Sequence, residues 1–372
     1  MPDQHAFLSA SSSPRWIACP PSAKLNTGTG GRTSEYAIQG TCAHALCEYK
    51  LKAALGRRAR DPTEDLDCYD QEMENCADGY VEYVLEQVQK AKETCHDPTV
   101  LVEQRLDLSR WIPESFGTAD ALIVGDDTLT IIDMKYGAGV KIEGSSPQLR
   151  CYALGCVDMF DGIYDIRKVR MVIYQPRLNH ISECDMTKEA LLTWAEEVLV
   201  PAAKLAFAGE GTFNAGDHCR FCSVKANCRK RAEYNLEIAR YDFAMPPTLE
   251  DKEIEAILPK LDQLTSWASD LKEYALKKAL SGKKWTGYKL VAGRANRKYI
   301  NEAAAAAAVE AAGFDPYEKR ILGITAMTSM LGRKKFDELL GGLIERPQGK
   351  PVLVLQSDKR PELNTAAEDF KE

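Results

Sequence analysis

The apolar positions of this chain change rhythm part-way along. Residues 119–124 and 128–135 are near-continuous runs of apolar and β-branched side chains, separated by the turn-forming Gly125-Asp126-Asp127. That pattern predicts a β-hairpin. Residues 100–106 read as an earlier strand. Leu46, Tyr49 and Ala53 or Leu55 form the apolar stripe of a helix for which Thr41 is the expected N-cap, and Pro147-Gln148-Leu149-Arg150 opens another. Beyond residue 240 the helical period takes over. Ile257, Leu261, Leu264, Trp267, Leu271 and Ala275 recur at helical spacing, with Pro259 expected to break the pattern early. Asn301 is placed to cap a helix over 302–312 that ends at Gly313, and two short helices follow over 325–331 and 334–340. The tail over 346–372, rich in proline and charge, reads as extended or disordered. The fold class is therefore α/β, a mixed central sheet with flanking helices followed by a helical accessory region. Expected boundaries are 1–240, 241–345 and 346–372.

The hairpin carries chemistry. With Asp126 and Asp127 as a two-residue loop, Gly125 pairs with Thr128, and counting outward sets Asp120 opposite Asp133. Their Cβ atoms would then lie about 4.5–5.5 Å apart. Lys135 follows Asp133 by two and points to the same side of a strand. Two carboxylates suit one hard divalent ion, Mg²⁺ or Mn²⁺, and a neighbouring ammonium can orient water or stabilise charge on a phosphate. The alternative is a surface hairpin whose charges face solvent. On either side in sequence stand His44 and Glu48, spaced i and i+4, and Gln148 and Tyr152, spaced likewise.

The order Gly-x-x-x-His (40–44), Gly-x-x-Asp (117–120), Asp-x-Lys (133–135) and Gln-x-x-x-Tyr (148–152) resembles the RecB-like branch of the PD-(D/E)XK nucleases over roughly residues 15–230. The resemblance implies a restriction-endonuclease-like core. It makes His44 a metal ligand, Asp120 and Asp133 the metal-binding carboxylates and Lys135 the catalytic lysine, with Gln148 and Tyr152 supporting the site or contacting DNA. Glu103, on the earlier strand, stands where relatives often carry an acidic residue.

Cysteine usage adds a second constellation. The chain has 12 cysteines, with neither an apolar leader nor a membrane-length run. Free thiols in a reducing cytoplasm are the expectation. Eight cysteines are scattered as small apolar residues, whereas Cys219, Cys222 and Cys228 have metal-ligand spacing in a polar loop. Cys19 offers a fourth thiol, with His218 as another candidate. Spacing alone leaves zinc and an iron–sulfur cluster open. One cysteine before the core and three after it resembles the iron–sulfur staple of AddB-like and CRISPR-adaptation nucleases, which implies a [4Fe–4S] cluster on Cys19, Cys219, Cys222 and Cys228.

At 372 residues and 45% hydrophobic content the chain can bury a substantial core, and its net charge of −7 rules out a uniformly basic coat. Contact with a polyanion must be local. One basic stretch surrounds the cysteine loop (His218, Arg220, Lys225, Arg229, Lys230, Arg231). Another, free of acidic residues between Glu273 and Glu302, interleaves Lys277, Lys278, Lys283, Lys284, Lys289, Arg294, Arg297 and Lys298 with Trp285, Tyr288 and Tyr299. With Trp285-Thr286-Gly287-Tyr288-Lys289 and the late segment from Lys350-Pro351-Val352-Leu353-Val354 to Ser357-Asp358-Lys359-Arg360-Pro361, the chain resembles over essentially its full length a poorly characterised family found mainly in phages and prophages. That implies a role in phage DNA replication or recombination in a bacterial host, with phage partner proteins; the nuclease resemblance implies an exonuclease on single strands or duplex ends, and no membrane partner is expected. The alternative is a non-catalytic DNA-end-binding or recombination scaffold.

Overall fold

Six consecutive buried residues, Ala119 to Val124, form the centre of a strand covered on both faces. The computed structural model describes residues 6–27, 35–237, 249–291, 300–313, 315–317 and 321–344. The expected tail over 346–372 and Arg294, Arg297, Lys298 and Tyr299 lie outside the described residues.

In chain order the elements are α1 (Ser13–Ala18), α2 (Ser22–Leu25), α3 (Glu35–Ala54), α4 (Gln71–Lys92), β1 (Thr99–Asp107), β2 (Phe116–Val124), β3 (Thr128–Met134), α5 (Pro147–Met159), β4 (Lys168–Gln175) and β5 (His180–Thr187). There follow α6 (Lys188–Trp194), α7 (Val200–Ala208), α8 (Arg229–Leu236), α9 (Asp251–Leu280), α10 (Glu302–Ala311), α11 (Ile324–Leu331) and α12 (Arg333–Leu340). The strands form one mixed sheet in the order β1-β2-β3-β4-β5. Only β3 and β4 pair in parallel, because α5 crosses between them; the other neighbours are antiparallel. The fold is α/β with a helical C-terminal region.

Side-chain alternation divides two cores. On one face Leu122, Val124, Leu129, Ile131 and Ile173 pack with Leu149, Ala153 and Val157 of α5 and with Trp16 of α1. On the other, Ala121, Ile123, Ile132 and Val172 pack with Leu46 and Leu51 of α3 and with Met73, Tyr80 and Val84 of α4. Each such large side chain, fully buried, contributes about 1.5–3 kcal/mol. The sheet is thereby held rigidly between two helical layers, and Asp120 and Asp133 lie within it.

The structure differs from the sequence reading at three points. Thr41 does not cap a helix: α3 starts at Glu35, and the Thr41 hydroxyl donates to the Ala37 carbonyl one turn earlier. Gly40 sits in the helix interior at a cost of about 1 kcal/mol, too little to end it. Pro259 does not break α9, which runs unbroken from a Glu250–Glu253 capping box; a proline removes one backbone hydrogen bond, and the long helix retains its turns on both sides. Cys42 and Cys68, expected as free thiols, are joined in a disulfide with Cα atoms 6.6 Å apart. The fold brings together residues that 26 positions separate in sequence.

The chain divides into two compact units. One compact unit comprises Met1–Ala239 with Gln263–Tyr274, and the other Arg240–Asp262 with Ala275–Glu372. Polar ties explain why 263–274 belong to the first: Asp270 is ion-paired with Lys225 at 2.8 Å and with the buried Arg231 at 2.5 Å, and Gln263 donates to Asp217. In the second unit α11 and α12 pack against each other, and Asn301 caps α10 by accepting from the Ala304 N–H.

Candidate metal centre

The β2–β3 register pairs Val124 with Leu129 and Ala121 with Ile132, closed by Gly125 N–H donating to Thr128 O at 2.9 Å. One step further along this register stand Asp120 and Asp133. Both side chains are buried, 9% and 2% exposed. Buried carboxylates are costly unless paired and hydrogen-bonded, and each has its own partners. Asp120 Oδ2 accepts from Met134 N–H at 2.7 Å, and its Oδ1 lies 3.2 Å from His44 Nδ1 on α3. Asp133 Oδ1 accepts from Gln148 Nε2 at 3.3 Å, and its Oδ2 lies 2.8 Å from Lys135 Nζ. Gln148 Nε2 also donates to Tyr152 Oη at 3.1 Å, so the two α5 residues act on Asp133 as one support. Lys135 follows the end of β3 and is fixed by its N–H to the Tyr174 carbonyl at 2.9 Å.

Glu103 completes the cluster. The β1–β2 ladder pairs Val102 with Ala121 and Gln104 with Ala119 but leaves Glu103 unpaired beside Asp120, with φ of 52°. A left-handed glutamate inside a strand is strained, and such strain gathers at functional sites. Among the described residues, His44, Glu103 and Asp120 form a group whose ligand atoms all lie within 4.8 Å of one another. Glu48, on the same face as His44, is ion-paired with Lys52 instead.

The electrostatics follow from this crowding. The Asp120 carboxylate raises His44 to about 9, against the opposing effect of burial. Burial and then Asp120 push Glu103 up to about 8. Burial works against ionisation of Asp120, yet His44 and Lys135 outweigh it and hold the carboxyl below its ordinary value. Burial raises Asp133, with Lys135 opposing and Asp120 adding to the rise. Lys135 is raised because the two aspartates outweigh its burial. An imidazole and two or three carboxylates make a donor set of nitrogen and hard oxygen, which fits a divalent cation of the Mg²⁺ or Mn²⁺ kind. A cavity of about 510 Å³ between α3, α4 and residues 61–69 is separate, since none of these residues lines it.

Cys19, Cys219, Cys222 and Cys228 line one small cavity of about 20 Å³. Two segments distant in sequence are bound together around it: Asn214 Nδ2 donates to Ala18 O at 2.8 Å, and Ser223 N–H donates to Asn26 Oδ1 at 2.7 Å. A donor set made only of thiols is soft and suits iron–sulfur or zinc. His218 is held by Asn214 O at 3.0 Å from its Nε2, and Cys219 Sγ lies 3.8 Å from the same nitrogen. Arg15, to which the sequence reading gave no role, donates to Ser22 O at 2.7 Å; burial lowers its pKa, with Cys222 and Cys19 opposing. The available signal was a cation four residues before the thiol that follows the same helix. Of the basic stretch here, Lys225 and Arg231 are internal ties to Asp270 rather than free surface cations.

Fold and site together define an α/β protein with a carboxylate–imidazole–ammonium cluster around two buried aspartates and four cysteines lining one small cavity. Residues 5–361 match DUF2800, described as "Protein of unknown function", and the chain belongs to that family. A solved structure titled "Crystal structure of SSO0001" is similar at 16% identity and a TM-score of 0.23, over 52% of this chain and 98% of its own. Among the described residues, no helix is long and apolar enough to cross a membrane.

Proposed function

We propose that the chain is a metal-dependent DNA nuclease of the RecB-like PD-(D/E)XK kind it resembles. The observation that carries this reading is the juxtaposition of Asp120 and Asp133 on paired strands, with Lys135 2.8 Å from Asp133 and His44 3.2 Å from Asp120. His44, Asp120 and Asp133, with Glu103, would hold Mg²⁺ or Mn²⁺. When bound, that ion supplies Lewis-acid stabilisation of charge on the scissile phosphate.

The protein's own groups do the rest. Asp133 is held by Gln148 and Lys135, so its carboxylate needs no reorganisation when substrate arrives. Lys135 keeps its ammonium beside that carboxylate, where it orients the attacking water and offsets negative charge on the phosphate. A water oxygen forms a new bond to phosphorus as the ester P–O bond breaks, and the departing oxygen leaves with a proton. Asp120 and Asp133 are buried, which strengthens their interactions with His44 and Lys135, whose side chains stay partly open to solvent and substrate.

The same reading takes in an exonuclease preference for single strands or duplex ends, and a place in phage DNA replication or recombination within the bacterial cytoplasm. The four thiols enter it as a structural [4Fe–4S] staple. Zinc, with Zn–S bonds of about 2.3 Å, would draw its sulfurs to roughly 3.8 Å from one another. What supports the cluster over zinc is the resemblance, with one cysteine before the core and three after it, since four thiols suit either.

Release of nucleotides from linear DNA, measured with and without Mn²⁺ in wild type and Lys135→Ala, tests the proposal. Metal-dependent release that disappears in the variant while DNA affinity persists is the expected result. No release by wild type that binds DNA and metal would instead favour the scaffold reading.

A further inference from the structure

The second compact unit carries an exposed surface that the metal centre does not use. α9 ends in Lys277 and Lys278, and after a turn at Gly282, with φ of 95°, the chain continues through Lys283, Lys284, Trp285, Tyr288 and Lys289. All of these are exposed, Tyr288 by 84% and Trp285 by 36%. No acidic residue occurs between Glu273 and Glu302, in a chain whose net charge is −7. Among the described residues, Lys283, Lys284 and Lys289 have no ion-pair partner.

The segment is shaped and not merely charged. Trp285 Nε1 donates to the Ala275 carbonyl at 3.0 Å, which fixes the indole against the last turns of α9. Lys283 Nζ lies 5.6 Å from the centroid of that ring. Lys283 N–H donates to Lys278 O at 3.0 Å, and Tyr288 N–H to Trp285 O at 3.1 Å, so two backbone turns set the spacing of amines and rings. Gly287, with φ of 82°, makes the second turn possible.

We infer that residues 277–289 form a binding surface for single-stranded DNA, whose lysines take the phosphates while Tyr288 and the open part of Trp285 stack on bases. Charge complementarity selects a polyanion, and exposed rings between the amines select one whose bases are free to stack. Duplex DNA, with its bases already stacked, can use the lysines alone. Recognition of this kind is independent of sequence. The inference deepens the nuclease reading, on which the choice of polymer rests, and it assigns substrate holding to a segment of the second unit.

The test is fluorescence anisotropy of a labelled oligothymidylate with the full-length protein carrying Asp133→Asn, in chelator, so that neither cleavage nor the metal enters. Binding tighter than to a duplex of equal length is expected. Lys283→Glu, Lys284→Glu and Lys289→Glu together should weaken it at least tenfold and flatten the slope of log K against log salt by about 2. Tyr288→Ala should weaken it about fivefold or more, and Tyr288→Phe should retain it. Unchanged affinity in the lysine and Tyr288→Ala variants would overturn the inference, as would binding to anionic phosphatidylserine vesicles with none to the oligonucleotide. An inactive nuclease that still binds through these residues would refute the catalytic proposal alone.

Discussion

The ring of Tyr152 occupies the space a side chain at Gly117 would need: a Cβ there would lie 2.6 Å from Tyr152 Cε1. The glycine of the Gly-x-x-Asp motif therefore clears room for the ring whose hydroxyl accepts from Gln148, the residue that donates to Asp133. Gly117→Ala should displace Tyr152 and destabilise the protein by about 1–3 kcal/mol, the range for overpacking. It should also weaken Mn²⁺ binding, whereas Tyr152→Phe, which keeps the ring, should cost less than 1.5 kcal/mol, about the worth of one hydrogen bond. Chemical denaturation and calorimetric metal titration check both.

Glu103 holds a left-handed backbone inside β1. Only glycine adopts that conformation without steric cost. Glu103→Gly is expected to be more stable than Glu103→Ala by about 1 kcal/mol, since alanine keeps the strain. Both should lose Mn²⁺ affinity. Thermal denaturation of the two variants side by side gives the comparison, and an alanine variant as stable as the glycine one would contradict the strain.

The Cys42–Cys68 disulfide closes a loop of 26 residues. Loop-closure entropy of that size stabilises by roughly 3 kcal/mol. Dithiothreitol should therefore lower the melting temperature of wild type but not that of the Cys42→Ser/Cys68→Ser protein. Non-reducing peptide mapping should find the crosslinked pair.

Burial opposes ionisation of Asp270, but hydrogen bonds from Lys225 and Arg231 win and set its pKa below 3.8. A depressed pKa means that the ionised form stabilises the folded state at neutral pH. This contribution is complete above the unfolded value near 3.8 and is lost as pH falls through the lower folded value. The stability difference between wild type and Asp270→Asn should thus be constant from neutral pH down to about 4 and shrink below it. Since Asp270→Asn leaves the buried Arg231 without its counter-charge, the difference at neutral pH should reach about 3–5 kcal/mol. Acid titration of both proteins, followed by circular dichroism, measures it.

Anaerobically purified protein should contain iron and sulfide and absorb in the visible. Cys222→Ser should lose iron, and Cys151→Ser, buried far along the sequence in the α5 core, should keep it. Stoichiometric zinc without sulfide would establish the rival metal. A full cluster in Cys19→Ser would remove that residue from the ligand set.

Much of this was legible in the sequence where the signal was local. The Gly125–Thr128 closure follows from two turn residues between apolar runs, and it fixes the Asp120–Asp133 register by counting alone. The i, i+4 pair Gln148 and Tyr152 reads directly from helical spacing. What remained hidden depends on contacts between distant segments. Nothing local announces that Asp270 ties 263–274 to the cysteine loop, or that Cys42 meets Cys68. The left-handed backbone of Glu103 is equally silent in sequence, because glutamate has no preference for it.

The central claim is tested most directly by incubating end-labelled linear DNA and covalently closed circular single-stranded DNA with Mn²⁺, using wild type and Asp133→Ala. Degradation of the linear form by wild type, sparing of the circle and complete loss in the variant are the predicted results. Binding of linear DNA and metal by an intact wild-type protein with no cleavage, or cleavage that survives Asp133→Ala, would contradict the nuclease account.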